Sequence, residues 1–552
     1  MLLPDQEGES PPVILSYREL DARARRLAGW LQLRGATGKR VLIVQSDRGL
    51  FAVCFLACLY AGAVAVPVAP LPGNGRHHEA RVAGIARDAA PALALADAAG
   101  APDVSRLLAG CGQGHIDCVA ADMVQDAGWS APRLTGDSPA LLQYTSGSTR
   151  EPYGVVVTHR NLLANQRAMR RALGTGPDAR FGGWLPFHHD MGLVGTLLHP
   201  LWLGATSVLL SPEAFARRPL RWLEMISEHR VTVSGAPDFA YHLCGVAGQE
   251  PPPGLDLSHW RTAVSGGEPV RARTWSAFRA RFAAAGFRPA ALTAAYGLAE
   301  ATLLVSGGPP APPLAVDTEA LERHLLTPAA PDRPTIVLQS SGAPAGAEVR
   351  IVDPTTHAAR AEGEVGEIWV RGDSVCQGYW QRPGETLRTF GARTAEGRAG
   401  YLRTGDLGAL RDGLLYVTGR LKETMVTSGR NLYPHDLEQT VQQLSELFGS
   451  ASAFSVDTAE RERIVVVQEV RIRSRYRVDW PRLVSAVEHC LSLEFGVEAG
   501  AVLLVPPGSV RRTTSGKVER GAMRRMFLRG ELRPLHQVIA PELRALLAEA
   551  TG

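Results

Sequence analysis

The sequence predicts an α/β protein, with a large N-terminal domain of several subdomains over 1–421 and a small α+β domain over 422–552. Three observations predict it. Near the start, an amphipathic stretch, an apolar run, a second helical stretch and a second apolar run alternate, as right-handed crossovers feeding a parallel sheet require. At 552 residues the chain is too long for a single core. After Glu423 the character changes: GRNLYPHDLE (429–438), the strand VVVQEV, a helix and the strand AVLLV describe a separate α+β unit.

Taken in order, YRELDARARRLAGWLQ sets Leu20, Ala24, Leu27 and Leu31 at helical spacing, and VLIVQ (41–45) reads as a strand. The uncharged run 50–72 is long enough to raise a membrane span. Its Gly62, Pro67, Pro70 and Pro72 argue instead for a core helix over 51–60 and a buried parallel strand over 63–68. No internal repeat is visible, and Ala-rich tracts such as 89–101 read as helix and loop filler. Hydrophobic residues make up 45% and charged residues 21%, ordinary soluble values, and a net charge of +4 implies no nucleic-acid footprint and no nucleic-acid partner. The seven Cys (54, 58, 111, 118, 244, 376, 490) are scattered and no basic-apolar leader follows Met1, so they read as reduced thiols of a cytoplasmic protein without a transmembrane segment.

The chemistry-bearing stretch is QYTSGSTREPYGVVVTH (143–159). Thr145, Ser146, Ser148 and Thr149 offer hydroxyls, Gly147 lets backbone N–H groups turn toward an anion, and Arg150 adds a fork suited to phosphate oxygens. A Ser/Thr-rich surface loop is the bland alternative. It is not a Walker A loop, because the only GK pairs, Gly38-Lys39 and Gly516-Lys517, are followed by Arg40 and Val518.

YTSGST followed by Pro and Gly resembles the nucleotide loop of adenylate-forming enzymes: acyl-CoA synthetases, adenylation domains and fatty acyl-AMP ligases. Where the common loop continues Gly-x-Pro-Lys-Gly, this chain has Arg150 and Tyr153, a departure shared with fatty acyl-AMP ligases. The resemblance covers nearly the whole chain. In WLPFHHDMGL (184–193) it makes His189 a gate or orienting group beside the acyl tunnel, with Asp190 next to it; the competing reading is a metal cluster with His188. SGAPDFAYHLC (234–244) resembles the acyl-pocket segment, with small Gly235 and Ala236, then Pro237, and aromatic walls at Phe239 and Tyr241. A strand running into a helix capped by Asp238 is expected there.

By the same resemblance, VSGGEPV (264–270) is expected to set Gly266, Gly267 and Glu268 against adenine, and TAAYGLAEATLLVS (293–306) to set Ala295, Tyr296 and Gly297 at its other face. The resemblance assigns Mg²⁺ to Glu300, since a carboxylate beside polyphosphate needs a cation between the like charges. Residues 305–340 look like the insertion of fatty acyl-AMP ligases, with a helical piece over 317–326. Asp406 fits a ribose-binding acid, and the resemblance makes Arg420 a phosphate and ribose contact and Lys422 the hinge of a mobile C-terminal lid. Lys517, 517 − 422 = 95 residues past the hinge, lies in the TSGK context of the lysine that the lid delivers to the reacting carboxylate and α-phosphate.

The implied reaction is fatty acid plus ATP to acyl-adenylate plus pyrophosphate. Lys517, Glu300, His189 and Arg150 are the catalytic candidates, and the acyl group passes to the phosphopantetheine of a separate acyl carrier protein in lipid, lipopeptide or polyketide synthesis. The alternatives are a fatty acyl-CoA synthetase, a non-catalytic adenylate-binding protein, and an amino-acid adenylation enzyme in which Asp238 pairs the substrate ammonium.

Overall fold

Local signals in the first seventy residues do what the spacing requires. Ser16 and Glu19 form a reciprocal capping box that starts the helix Tyr17–Leu33, whose buried face includes Leu20, Ala24, Leu27 and Leu31. Asp47 caps the next helix, Arg48–Ala61, so it begins three residues before the expected 51, and Gly62 ends it at φ 70°. The strands Arg40–Val44 and Val64–Val68 pair in parallel around this helix, and the second is buried throughout. A membrane span is thereby replaced by a buried strand and helix, and among the described residues no helix is long and apolar enough to cross a membrane.

The computed structural model describes residues 1–3, 12–71, 75–144, 153–246, 250–309, 311–423, 425–427, 430–458, 462–471, 478–495, 497–513 and 516–549. Among them, a six-stranded and a nine-stranded sheet form the body of a larger N-terminal part. The nine-stranded sheet contains four adjacent parallel strands, in the order Leu292–Gly297, Thr262–Gly266, Val233–Ala236 and Arg180–Gly183. Helices cover these faces; Trp222, Trp260, Tyr241 and Phe278 form an aromatic core behind the strands, every one fully buried. A five-stranded antiparallel sheet follows, including the long strand Ala399–Arg411 paired with Leu414–Arg420.

The expected helix over 317–326 is shorter than its pattern. Asp317 caps only Thr318–Glu322, and the strands Leu314–Asp317 and Thr335–Leu338 pair antiparallel on either side. The smaller C-terminal part is built on the sheet Phe448–Asp457, Glu462–Val470, Ala499–Val505 and His536–Ile539. Alternate residues of Glu462–Val470 feed two cores: Val466 joins Val487 and Leu491 on one face, while Val465 and Val467 join Phe527 on the other. Such a sheet, covered on both faces, is the α+β unit the sequence predicts.

Candidate active site

Four parallel strands end at one edge, and each releases a predicted segment there. Arg180–Gly183 leads to His189 and Asp190, Val233–Ala236 to Pro237 and Phe239, Thr262–Gly266 to Gly267 and Glu268, and Leu292–Gly297 to Glu300. Side chains leaving the carboxyl ends of neighbouring strands converge on a common crevice, as in open α/β sheets generally. Here the crevice is a cleft of about 2840 Å³ between the N- and C-terminal parts. It is also lined by Asp406, Arg420, Lys422 and Lys517.

The glycines serve close approach. Gly267 has φ 80°, and a Cβ at Gly266 would come 2.8 Å from the Ala295 carbonyl oxygen, so the two strands run tightly side by side at the cleft edge. A Cβ at Gly297 would meet the Leu303 carbonyl oxygen at 1.7 Å. Only glycine there lets the chain fold back around Glu300, where Thr302 adopts φ 71°, ψ −56° and Leu303 N–H donates to the Ala301 carbonyl at 2.9 Å. This is a γ-turn in a β-branched residue, a strained conformation. It is held because Thr302 Oγ1 donates to the Ser374 carbonyl at 2.7 Å and Cys376 N–H donates to the Glu300 carbonyl at 2.9 Å.

The charges in the cleft are coupled. Tyr379 donates its hydroxyl to Glu300 Oε1 at 2.9 Å, and burial raises the Glu300 pKa above the ordinary carboxylate value. Asp406 accepts from the Tyr296 hydroxyl at 2.7 Å and from Arg420 Nε at 3.0 Å. A carboxylate has about four lone-pair directions, so Asp406 retains accepting capacity toward the cleft. Lys517 is half-buried by exposure, yet protein surrounds it. Burial and then the Arg420 guanidinium lower its pKa, opposed by the carboxylates of Asp190, Glu268 and Asp406. Burial, followed by the charges of Lys517 and Arg81, pushes the His189 imidazole down to about 3, so it is neutral at physiological pH. Asp190, raised by burial and steadied by Lys517, accepts from Met191 N–H at 2.7 Å.

Some expected residues do not reach the cleft. Ala236 is fully buried in the apolar core, because strand alternation turns its neighbours Gly235 and Pro237 to the cleft and Ala236 away. Tyr241 is also core rather than wall: two residues after Phe239 on a helix, it faces the opposite side and donates to the Val264 carbonyl at 2.9 Å. Asp238 does not cap its own helix; its carboxylate is fully buried and receives Arg271 N–H at 3.0 Å and the Thr274 hydroxyl at 3.0 Å. Those partners take up the Asp238 carboxylate, so Asp238 is not the acid that would pair a substrate ammonium. His188 packs its ring 4.5 Å from that of His189, accepts from Gln143 Nε2 at its carbonyl, and lines a small separate pocket with Arg81 rather than the main cleft. Among the described residues no group of three or more His, Cys, Asp or Glu is placed to hold a metal ion, against the cluster reading of His188, His189 and Asp190.

Thr145, Ser146, Gly147, Ser148, Thr149 and Arg150 lie outside the described residues. Their flanks are the antiparallel strands Pro139–Tyr144 and Gly154–Thr158, and Tyr144 lines the cleft. Tyr153, in place of the common lysine, sets its ring 5.4 Å from Tyr379, with the Arg382 guanidinium 5.3 Å from its centre. Sequence reasoning missed Tyr379 and Thr302 as supports of Glu300. The aromatic GYW at 378–380 was the available signal for the first, and Thr302 leaves none, because its role is a backbone angle.

The arrangement brings a lysine from the last fifty residues of the chain to carboxylates and an imidazole from the N-terminal part, around a space large enough for a nucleotide and an apolar chain. The AMP-binding enzyme family profile matches residues 9–380. The medium-chain-fatty-acid–[acyl-carrier-protein] ligase JamA of Moorena producens (strain JHB) is 39% identical over 544 residues, covering 96% of this chain and 92% of that protein. The long-chain-fatty-acid–AMP ligase FadD26 of Mycobacterium marinum is 37% identical over 532 residues, covering 92% and 90%. The crystal structure of a fatty acyl-adenylate ligase from L. pneumophila, in complex with acyl adenylate and pyrophosphate, aligns over 98% of this chain and 94% of its own at 34% identity, with a TM-score of 0.74. The chain belongs to the AMP-binding enzymes, in their fatty acyl-AMP ligase branch.

Proposed function

We propose that the protein condenses a fatty acid with ATP to an acyl-adenylate and then hands the acyl group to the phosphopantetheine thiol of a separate acyl carrier protein. The observation that carries this reading is the position of Lys517, set by a C-terminal turn beside Asp190 and His189 at the ends of the N-terminal parallel strands. A fatty carboxylate oxygen attacks the α-phosphorus of ATP in line; the bond to the β-phosphate oxygen breaks and pyrophosphate leaves. Lys517 supplies positive charge to the crowded α-phosphate, and its hydrogen-bonding ammonium orients the incoming carboxylate. Neutral His189 takes no proton from the acid and acts as an orienting wall. Asp406 accepts the ribose hydroxyls and Arg420 balances both that carboxylate and the phosphates. The adenine lies between the Gly266–Gly267 edge and Tyr296.

Mg²⁺ fits Glu300. The carboxylate opens on the cleft and burial disfavours its charge, so a cation shared with phosphate oxygens meets a need the protein leaves open. When bound, Mg²⁺ would neutralise charge on the leaving pyrophosphate. Thr145 to Arg150 are the proposed phosphate loop.

We place the domain border at 421/422 with Lys422 as hinge, and read 305–340 as the insertion that restrains the lid. Its Val316, Leu321 and Leu338 share one apolar cluster with Tyr433 of the C-terminal part, which supports that reading. The names of the carrier-protein ligase relatives support a carrier as acceptor, and dependence on ATP favours a cytoplasmic location. Incubation with ATP, Mg²⁺, a ladder of fatty acids and holo-carrier protein is expected to give acyl-carrier thioester. Acyl-adenylate that fails to pass to any carrier thiol would overturn the transfer step.

A further inference from the structure

Gly516, immediately before Lys517, sits at φ 86°. Its positive φ alone favours glycine, but a second constraint comes from the N-terminal part. A methyl group on its α-carbon would lie 2.7 Å from Phe239 Cε1, 3.0 Å from Cδ1 and 3.2 Å from Cζ, all below ordinary contact. The edge of the Phe239 ring therefore rests directly on the backbone of the Lys517 turn. That turn is itself closed: Thr513 N–H donates to the Lys517 carbonyl at 2.8 Å, and Lys517 N–H to Thr513 Oγ1 at 3.1 Å. Where Gly516 rests decides where Lys517 stands.

The ring is fixed from behind. Phe239 meets Trp184 edge-on at 6.1 Å and Phe215 at 6.3 Å, and those two are stacked at 3.8 Å and 2°. Its backbone N–H is held by Glu268 Oε1 at 2.5 Å. Trp184 and Phe239 both line the cleft, so the ring faces the acyl space on one side and the lid turn on another. A residue touched both by an acyl chain and by the lid turn links the two, and such coupling is reciprocal.

We propose that Phe239 is a positioning residue that seats the lid through Gly516, sets Lys517 at the reacting carboxylate and couples occupation of the acyl cleft to closure. This rests on the reading of Lys517 given above. The test is a cycle of Phe239→Ala, Gly516→Ala and the double variant in the full-length protein, followed by pyrophosphate release with varied fatty acid. Gly516→Ala is expected to lower kcat by about 10- to 100-fold, as a displacement of about 1 Å can do, and, because the coupling is reciprocal, to raise KM for the fatty acid. Phe239→Ala lowers kcat and raises KM. In the Phe239→Ala background the methyl group has room, so Gly516→Ala costs less there than in the parent; backbone strain at φ 86° is present in both backgrounds and cancels from that comparison. If the single losses in kcat multiply in the double variant, Gly516 serves its φ alone and the proposal falls, as it does if Gly516→Ala leaves KM for the fatty acid unchanged. Thermal unfolding checks each variant, and Phe239→Leu replaces the alanine variant should that one fail to fold. Unchanged activity in Lys517→Ala would instead remove the underlying reading, an outcome independent of the cycle.

Discussion

A lysine surrounded by protein gives up its proton more readily than one in water, and for Lys517 burial and Arg420 both act in that direction. Adenylate formation needs the ammonium form. Its rate is therefore expected to fall on the alkaline side at a pH below the ordinary lysine value, and Lys517→Arg, which cannot deprotonate, is expected to abolish that limb in a pH–rate profile. Lys517→Ala should cost roughly 10²–10³ in kcat, the scale of removing one preorganised donor. His199 sets a different pH dependence, of stability. It is fully buried, hydrogen-bonded to Thr175 Oγ1 at 2.9 Å and to Gln166 Oε1 at 2.6 Å, and burial lowers it from 6.5 to about 4. The unfolded chain then binds the extra proton between those values. This contribution is complete above about 6.5 and is lost as pH falls toward 4. The midpoint of thermal unfolding should drop over that window, and less so in His199→Asn, which carries no titrating ring.

At the scale of the element, what was legible in the sequence was whatever rests on periodicity. Leu20, Ala24, Leu27 and Leu31 mark one helix face, and that face is buried. What was not legible depends on which way a side chain turns after a strand ends. Ala236 and Tyr241 belong to a segment that does line the cleft, yet alternation and helix phase send both into the core. The sequence pattern suggests a cap at Asp238, whereas the distant Arg271 and Thr274, brought close by folding, are what hold its buried carboxylate. The strained turn beside Glu300 belongs to the same class, since no motif announces a positive φ at Thr302. Its hydroxyl contact to the Ser374 carbonyl makes a direct prediction. Thr302→Val keeps the shape but leaves that buried carbonyl short of a donor, so it is expected to cost about 1–3 kcal/mol in denaturant unfolding and to weaken adenylate formation. Thr302→Ser should recover most of both.

For the whole molecule, the order of motifs announced a two-part enzyme, because each motif stands at a strand end or a turn whose chemistry is local. The relation between the parts was harder to read: the approach of Phe239 to Gly516, or the shared apolar cluster of Leu338 and Tyr433, joins residues with no common pattern. The hairpin of Leu314–Asp317 and Thr335–Leu338 is the element expected to hold the lid back from using free CoA. Removing 314–338 and closing the gap with a short Gly-Ser link is expected to raise acyl-CoA formation from near zero while leaving adenylate formation in place. The most direct test of the account is a product assay on the intact protein with ATP, Mg²⁺ and a fatty-acid ladder, with and without CoA. The account predicts acyl-adenylate in both arms and no acyl-CoA. Acyl-CoA at a rate comparable to adenylate formation would contradict it and make the protein a CoA synthetase.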